Sequence, residues 1–361
     1  MQVLRFQTFQ VGAKPVTNAD DIPNLNVGRL LSTTQTPTPE IIQRFLQTFQ
    51  TIGFAYIENH GIQEAMIKDI LRLSQAFFAL PKEQKMALHM KHSGYAWRGY
   101  FPVGDELTSG IPDQKEGIYF GEEHSPDHQG VQDGWPLHGQ NLWPSASGLE
   151  DFPKLVRSYM AEMKSLGEAL MRGFALALGL EQDYFAKRFA EPTSLFRIFN
   201  YPEHQWQEKD DQWGVREHTD MGFLTILKQD ESGGLEAKSR NGEWLAIPPR
   251  PGTFVINIGD MLEFWTHGIF RATPHRVKNQ ARGDRLSLPY FYDPCWTANL
   301  QPIDKALLGD AVPNQNDPER WDGLKLHTLN PQSTYGDFVW NKVRHVFPQL
   351  DQQNESSHDE L

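Results

Sequence analysis

The residues with the clearest chemistry lie between Val215 and Ser287. His218-Thr219-Asp220 sets an imidazole and a carboxylate two positions apart, and His275 adds a second imidazole further along the chain. Residues i and i+2 of a strand share a face, so one short strand would offer both His218 and Asp220 to a single ion while Thr219 points away. His275, on an opposing strand, would bring the third ligand. Two imidazoles and one carboxylate hold a ferrous ion on one face and leave its other face open to an organic acid and dioxygen. His218, Asp220 and His275 are therefore the catalytic and metal-ligating candidates. A His-x-Asp pair alone is weak evidence, since a lone strand histidine is usually a hydrogen-bonded structural residue. The distal histidine and the residues that follow it weaken that bland reading.

Arg285 and Ser287 share one face of a predicted strand. A guanidinium grips a carboxylate through a two-pronged fork, and a hydroxyl adds one more hydrogen bond. The pair would hold the remote end of a dicarboxylate, or else form a structural ion pair. Tyr201, just before Pro202, ends a strand expected beside the site, and its hydroxyl is a further candidate for that carboxylate. Asn257-Ile258-Gly259-Asp260 reads as a structural turn after a buried strand. His60, His267 and the other histidines have no partner at ligand spacing.

These residues need a scaffold, and the chain is long enough to build one. At 361 residues it can form one large unit with a sizeable core. The net charge of −12 and the lack of a Lys/Arg stripe argue against a nucleic-acid partner. No apolar run approaches the ~18 residues of a membrane helix. One cysteine, Cys295, excludes an intrachain disulfide and a cysteine-rich metal cluster, and fits a near-core position in a reducing compartment. Met1 to Gln10 has no apolar secretory segment. The chain ends in His358-Asp359-Glu360-Leu361, an ER-retention address that acts only after secretory entry, so a cytoplasmic location is expected.

Hydrophobic spacing predicts helices over Pro39–Thr51, Gln63–Ala79, Asp151–Gly179 and Tyr335–Arg344, with Pro81 opening a short one. Gly53–Asn59 reads as a strand. His92–Pro144 is rich in Gly, Pro, Trp and Asp and reads as a long functional loop. Strands are predicted over Leu195–Tyr201, Leu224–Gln229, Leu235–Ala237, Trp244–Ile247, Thr253–Ile258, Thr273–Val277 and Leu286–Tyr292. Asn241-Gly242 marks a two-residue hairpin turn. The fold class is mainly β with flanking α-helices around a distorted jelly-roll core, the double-stranded β-helix. The expected layout is a single compact unit over 1–361. It comprises an N-terminal α/β region (22–145), a core-backing helix region (151–190), the jelly-roll core (191–300) and a C-terminal loop, helix and tail (301–361).

Taken together, His218-Thr219-Asp220, Asn257-x-Gly259-Asp260, His275-Arg276-Val277 and Arg285-x-Ser287 resemble the 2-oxoglutarate/Fe(II)-dependent dioxygenase superfamily, in its isopenicillin N synthase-like branch. The segments from Phe54 to Gly61, from Phe77 to Lys82 and from Gly134 to Pro144 carry the resemblance upstream, so it covers roughly residues 22 to 347. The resemblance implies Fe(II), 2-oxoglutarate as co-substrate and O2. It implies oxidative decarboxylation to succinate and CO2, and hydroxylation of a small-molecule substrate as the usual outcome. In this reading Arg285 and Ser287, with Tyr201, hold the far carboxylate of 2-oxoglutarate. By analogy with the bacterial ethylene-forming enzyme, Glu106 and Thr108 face the substrate. Phe223, Phe270 and Phe291 lie near motif residues and are candidates to line the cavity. For each of these residues a local structural or core role competes. No obligate protein partner is evident.

Three alternatives stay open at this level. In isopenicillin N synthase the same Arg-x-Ser holds the substrate, so an iron oxidase without 2-oxoglutarate fits the same residues. A zinc hydrolase can use the same ligands, and a non-catalytic metal-binding protein can share the fold.

Overall fold

The computed structural model describes residues 16, 18–32, 35–203, 213–278, 283–309, 312 and 329–346. Met1–Gln10 and the terminal His358–Leu361 lie outside the described residues, as does most of 310–328.

Fourteen strands are described. The first six are β1 (Asn24–Asn26), β2 (Phe54–Glu58), β3 (Gly99–Phe101), β4 (Leu107–Thr108), β5 (Ile111–Pro112) and β6 (Glu116–Gly121). They continue with β7 (Pro192–Tyr201), β8 (Val215–His218), β9 (Leu224–Gln229), β10 (Leu235–Lys238) and β11 (Trp244–Ala246). The last are β12 (Phe254–Ile258), β13 (His275–Val277) and β14 (Arg285–Cys295). Eight form one sheet in the order β1-β2-β12-β9-β14-β7-β6-β3, and four form a second in the order β11-β10-β13-β8. Apart from the parallel β1–β2 pair, the ladders of both sheets are antiparallel. This is the mainly β, jelly-roll architecture with flanking helices that the strand spacing predicts.

The strands follow from burial. β12 (Phe-Val-Ile-Asn-Ile) is buried at every position and sits between β2 and β9, so it reads as a continuous apolar run rather than an alternating one. The helix Phe152–Ala177 covers the large sheet. Its buried stripe includes Val156, Tyr159, Met163, Leu166, Leu170 and Phe174. Gly179, at φ +73°, stops it in a left-handed conformation. The helices Pro39–Thr51 and Glu64–Phe78 pack on this helix. Among the described residues, no helix is long and apolar enough to cross a membrane.

Two expectations need correcting. His92–Pro144 is not one long loop, because β3 and β6 lie in it and extend the large sheet. β6 is buried on both faces and carries two glycines, so it shows neither alternation nor a strong β-former pattern. The turn at Asn241-Gly242 is wider than two residues. β10 ends at Lys238 and β11 starts at Trp244, and the Ser239 carbonyl accepts from the Gly242 amide at 2.9 Å.

Candidate functional site

β8 and β13 are hydrogen-bonded neighbours in the smaller sheet, and their register places His275 directly across from His218. The second histidine therefore comes from the adjacent strand, not from an opposing one. The rings lie 4.2 Å apart between centroids, at 53°. The ladder shifts register between His275 and Val277, the kind of irregularity that re-aims side chains near sites.

Asp220 is not on the strand with His218. β8 ends at His218, and Asp220 sits in the turn that leads to β9. It reaches the same point nonetheless. Asp220 Oδ1 lies 3.8 Å from His218 Nε2 and 3.6 Å from His275 Nε2. Its other oxygen, Oδ2, accepts from Thr225 Oγ1 at 2.5 Å and from Asn257 Nδ2 at 2.7 Å. One oxygen is thus tied to the protein and the other is turned to the imidazoles.

The histidines are oriented in the same manner. His218 Nδ1 is 2.7 Å from the Arg216 carbonyl, and His275 Nδ1 is 3.1 Å from the Thr273 carbonyl. A carbonyl only accepts, so each Nδ1 carries the proton and each Nε2 keeps its lone pair. Burial, with His275 beside it, pushes His218 down to about 4, which leaves it neutral near pH 7. Burial alone would raise Asp220. The two imidazoles and the Thr225 and Asn257 hydrogen bonds outweigh it and hold the carboxyl below its ordinary value. Two imidazoles with Nε2 turned inward and one free carboxylate oxygen suit a divalent metal ion.

These groups open into a cavity lined from both sheets. Tyr201, Arg285, Ser287 and Phe291 line it, with Phe54 and Leu227 among its apolar walls. Arg285 and Ser287 both face it from β14, as i and i+2 should. Arg285 is fully buried and its guanidinium is held at 2.5 Å by the Gly233 carbonyl. It stacks on Tyr201, with Cζ 4.6 Å from the ring centroid. Its Nη1 is buried and has no hydrogen-bond partner. A buried guanidinium nitrogen without a partner is costly unless an anion completes it.

The expected substrate residues divide. Phe291 lines the cavity, whereas Phe223 does not. Phe223 is fully buried among Phe174, Phe185, Phe189 and Trp265, because its side chain leaves the turn on the side away from Asp220. Phe270 is likewise core, against Phe49 and Phe174. Glu106 and Thr108 belong to a polar cluster behind the wall. Glu106 meets Lys115 Nζ at 2.8 Å, Tyr119 Oη at 2.7 Å and Arg197 Nη1 at 3.5 Å. Thr108 Oγ1 donates to Asp113 at 2.8 Å, and Lys115 reaches the same Asp113 oxygen at 2.5 Å. The cluster backs the cavity through two rings. Lys115 Nζ lies 5.0 Å from the Phe199 centroid and Arg197 Cζ 4.8 Å from that of Phe291.

Two residues that the sequence places only in strands or turns act at the site. Asn257 points from β12 to Asp220, and Thr225 does so from β9. Their signal was available as strand polarity, since each is a polar residue in a buried apolar run. A further correction concerns the other histidines. His124, His128 and Glu191 converge within 4.8 Å, with His138 stacked on His124. His128 and His124 each accept a backbone amide at Nδ1, from Gly130 and Gly139, which leaves the proton on Nε2. His128 Nε2 then pairs with Glu191 at 2.7 Å. With both Nε2 lone pairs taken up by protons, the group reads as a hydrogen-bonded surface cluster.

Comparison with known proteins agrees with this geometry. Residues 192–294 match the 2OG-Fe(II) oxygenase superfamily, and residues 22–146 match the family described as non-haem dioxygenase in morphine synthesis N-terminal. A probable iron/ascorbate oxidoreductase of Dictyostelium discoideum is 42% identical over 322 residues, covering 83% of this chain and 87% of the relative. A homoarginine-6-hydroxylase of Oryza sativa subsp. japonica is 35% identical, covering 78% and 88%. The crystal structure of a full-length Neurospora crassa protein in complex with alpha-KG superposes with a TM-score of 0.74 at 27% identity, covering 91% of this chain and 98% of that one. The chain belongs to the 2-oxoglutarate/Fe(II)-dependent oxygenase superfamily and is an Fe(II)-, 2-oxoglutarate- and O2-dependent oxidoreductase.

Proposed function

We propose that His218, Asp220 and His275 are the iron ligands and that Arg285, Ser287 and Tyr201 receive the far carboxylate of 2-oxoglutarate. One observation carries this reading. The open Asp220 Oδ1, the two Nε2 atoms and the unpartnered Arg285 Nη1 all belong to residues lining one cavity. When bound, iron and 2-oxoglutarate supply the oxygen activation and the oxidative decarboxylation to succinate and CO2.

The chain's own residues bind, orient and shield. The Arg216 and Thr273 carbonyls fix both imidazole tautomers. Thr225 and Asn257 fix the plane of the Asp220 carboxylate and leave one oxygen free. Arg285, stacked on Tyr201, is a fixed counter-charge for an acid. Phe54, Leu227, Leu235 and Val277 keep the surroundings apolar, which strengthens each electrostatic contact.

For the substrate we propose a small molecule of the size and polarity of a free amino acid. Relatives named 1-aminocyclopropane-1-carboxylate oxidase and homoarginine-6-hydroxylase support it, at 34% and 35% identity. A reducing compartment such as the cytoplasm suits a ferrous centre and the free Cys295 thiol. The test is succinate release from labelled 2-oxoglutarate with Fe(II), measured with a panel of amino acids and a panel of pyrimidines. An amino acid is expected to raise turnover above the uncoupled rate. Stimulation by pyrimidines alone would overturn the substrate class, and no succinate from the native chain would overturn the co-substrate assignment.

A further inference from the structure

We infer that Asp293 is a positioning residue for Asp220, acting through the backbone of the turn that carries it. The inference rests on the reading of Asp220 as an iron ligand.

The turn between β8 and β9 is clamped from two sides. On one side the start of the helix Asp260–Trp265 donates three amides to it. Asp260 N bonds the Asp220 carbonyl at 2.8 Å, Met261 N the Gly222 carbonyl at 3.0 Å, and Gly259 N the Phe223 carbonyl at 3.1 Å. On the other side Asp293, near the end of β14, accepts the Phe223 amide at 2.7 Å. No side chain fits between the two jaws. A Cβ on Gly222 would lie 2.0 Å from Asp293 Oδ1, and one on Gly259 would lie 2.2 Å from the Gly222 carbonyl oxygen. Both glycines are needed for this approach, because any larger residue would push the turn away from one jaw.

Asp293 itself is buried, at 4% exposure. A buried carboxylate is expensive, and an apolar residue would pack there at lower cost. What an acid adds is a strong, fixed acceptor for one amide. Thr225 and Asn257 hold the Asp220 carboxylate group, but they do not hold the backbone beneath it. Without the Asp293 acceptor the Phe223 amide is left unpaired in the interior, and the turn is held from one side only. The 3.6 and 3.8 Å separations from the imidazoles would then widen. The buried Tyr335 hydroxyl lies beside Asp293, so the helix Tyr335–Val346 packs against the same clamp.

The test is Mn(II) binding to the full chain, followed by electron paramagnetic resonance of the free ion, in the native protein and in Asp293→Ala, Asp293→Asn and Gly222→Ala. Asp293→Ala is expected to weaken binding by roughly tenfold or more, the range seen when a group supporting a metal ligand is lost. Asp293→Asn keeps an acceptor oxygen and is expected to stay within about threefold of native. Gly222→Ala, which leaves Asp293 in place but forces the jaw open, is expected to weaken binding as Asp293→Ala does, and it carries the test if Asp293→Ala does not fold. Native-like binding in Gly222→Ala and in any folded Asp293→Ala overturns the inference, as does an Asp293→Asn loss equal to that of Asp293→Ala. Absence of Mn(II) uptake by the native chain, or uptake unchanged in His275→Ala, overturns the ligand assignment itself and is distinguishable from both.

Discussion

His218 and His275 face one another across a single antiparallel strand pair, with ring centroids 4.2 Å apart. The ladder itself sets their spacing, since directly opposed residues have Cβ atoms about 5 Å apart. Losing either ring leaves two ligands, one of them a carboxylate. His275→Ala is therefore expected to abolish 2-oxoglutarate turnover and to lower divalent-metal affinity by at least about 100-fold, with the fold retained. Metal titration by calorimetry and far-ultraviolet circular dichroism check both halves.

Arg285 is anchored by the Gly233 carbonyl and by the Tyr201 ring, and its Nη1 is left open. Lysine keeps the charge but loses the fork, the stacking and the Gly233 bond. Arg285→Lys is expected to raise the KM for 2-oxoglutarate by roughly 10- to 100-fold, equivalent to one charge-assisted hydrogen bond. Metal affinity without 2-oxoglutarate is expected to change little. Equal losses in both would contradict the assigned role.

Asn257 and Thr225 both hold Asp220 Oδ2. Freed, the carboxylate can rotate and present the wrong oxygen. Asn257→Ala and Thr225→Val are each expected to weaken metal binding by about 10-fold or more. The double variant should lose less than the product of the two, because both bonds are needed to fix the plane and losing either already frees it. A complete double-mutant cycle of metal dissociation constants measures this coupling.

Burial pushes Asp293 up to about 7. A folded-state value above the unfolded value of 3.8 means that the folded chain favours the protonated acid. That stability is fully present below the unfolded value and is lost as pH rises through about 7. Asparagine cannot ionise. The melting temperature of the metal-free native chain is expected to fall relative to Asp293→Asn as pH rises from the unfolded value of 3.8 through about 7. A difference that does not vary with pH would contradict this.

The sequence pointed to residues that share one cavity better than to how they are placed in it. His218, Asp220, His275, Arg285 and Ser287 were legible because their types and order are chemically unusual together. Where they sit was less legible. Asp220 reaches the site from a turn, and its position depends on amides of Gly259, Asp260 and Met261, which are remote in sequence. Period-two reasoning describes strands and has no purchase on such a turn. The same limit hid β6, whose two buried faces erase alternation. It also misplaced Phe223, whose neighbours in the chain lie at the site while its ring packs in the core. The surface cluster joins His124 and His128, which are close in the chain, to Glu191, which is remote.

Two imidazoles, one carboxylate and one guanidinium are assigned to a single metal–acid complex. The most direct measurement is an anaerobic titration of the native chain with Fe(II) and 2-oxoglutarate, followed by visible absorption. A metal-to-ligand charge-transfer band is predicted that saturates near one equivalent of iron, vanishes in His275→Ala and needs far more 2-oxoglutarate in Arg285→Lys. A native chain that gives no band, or a band that His275→Ala leaves intact, would contradict it.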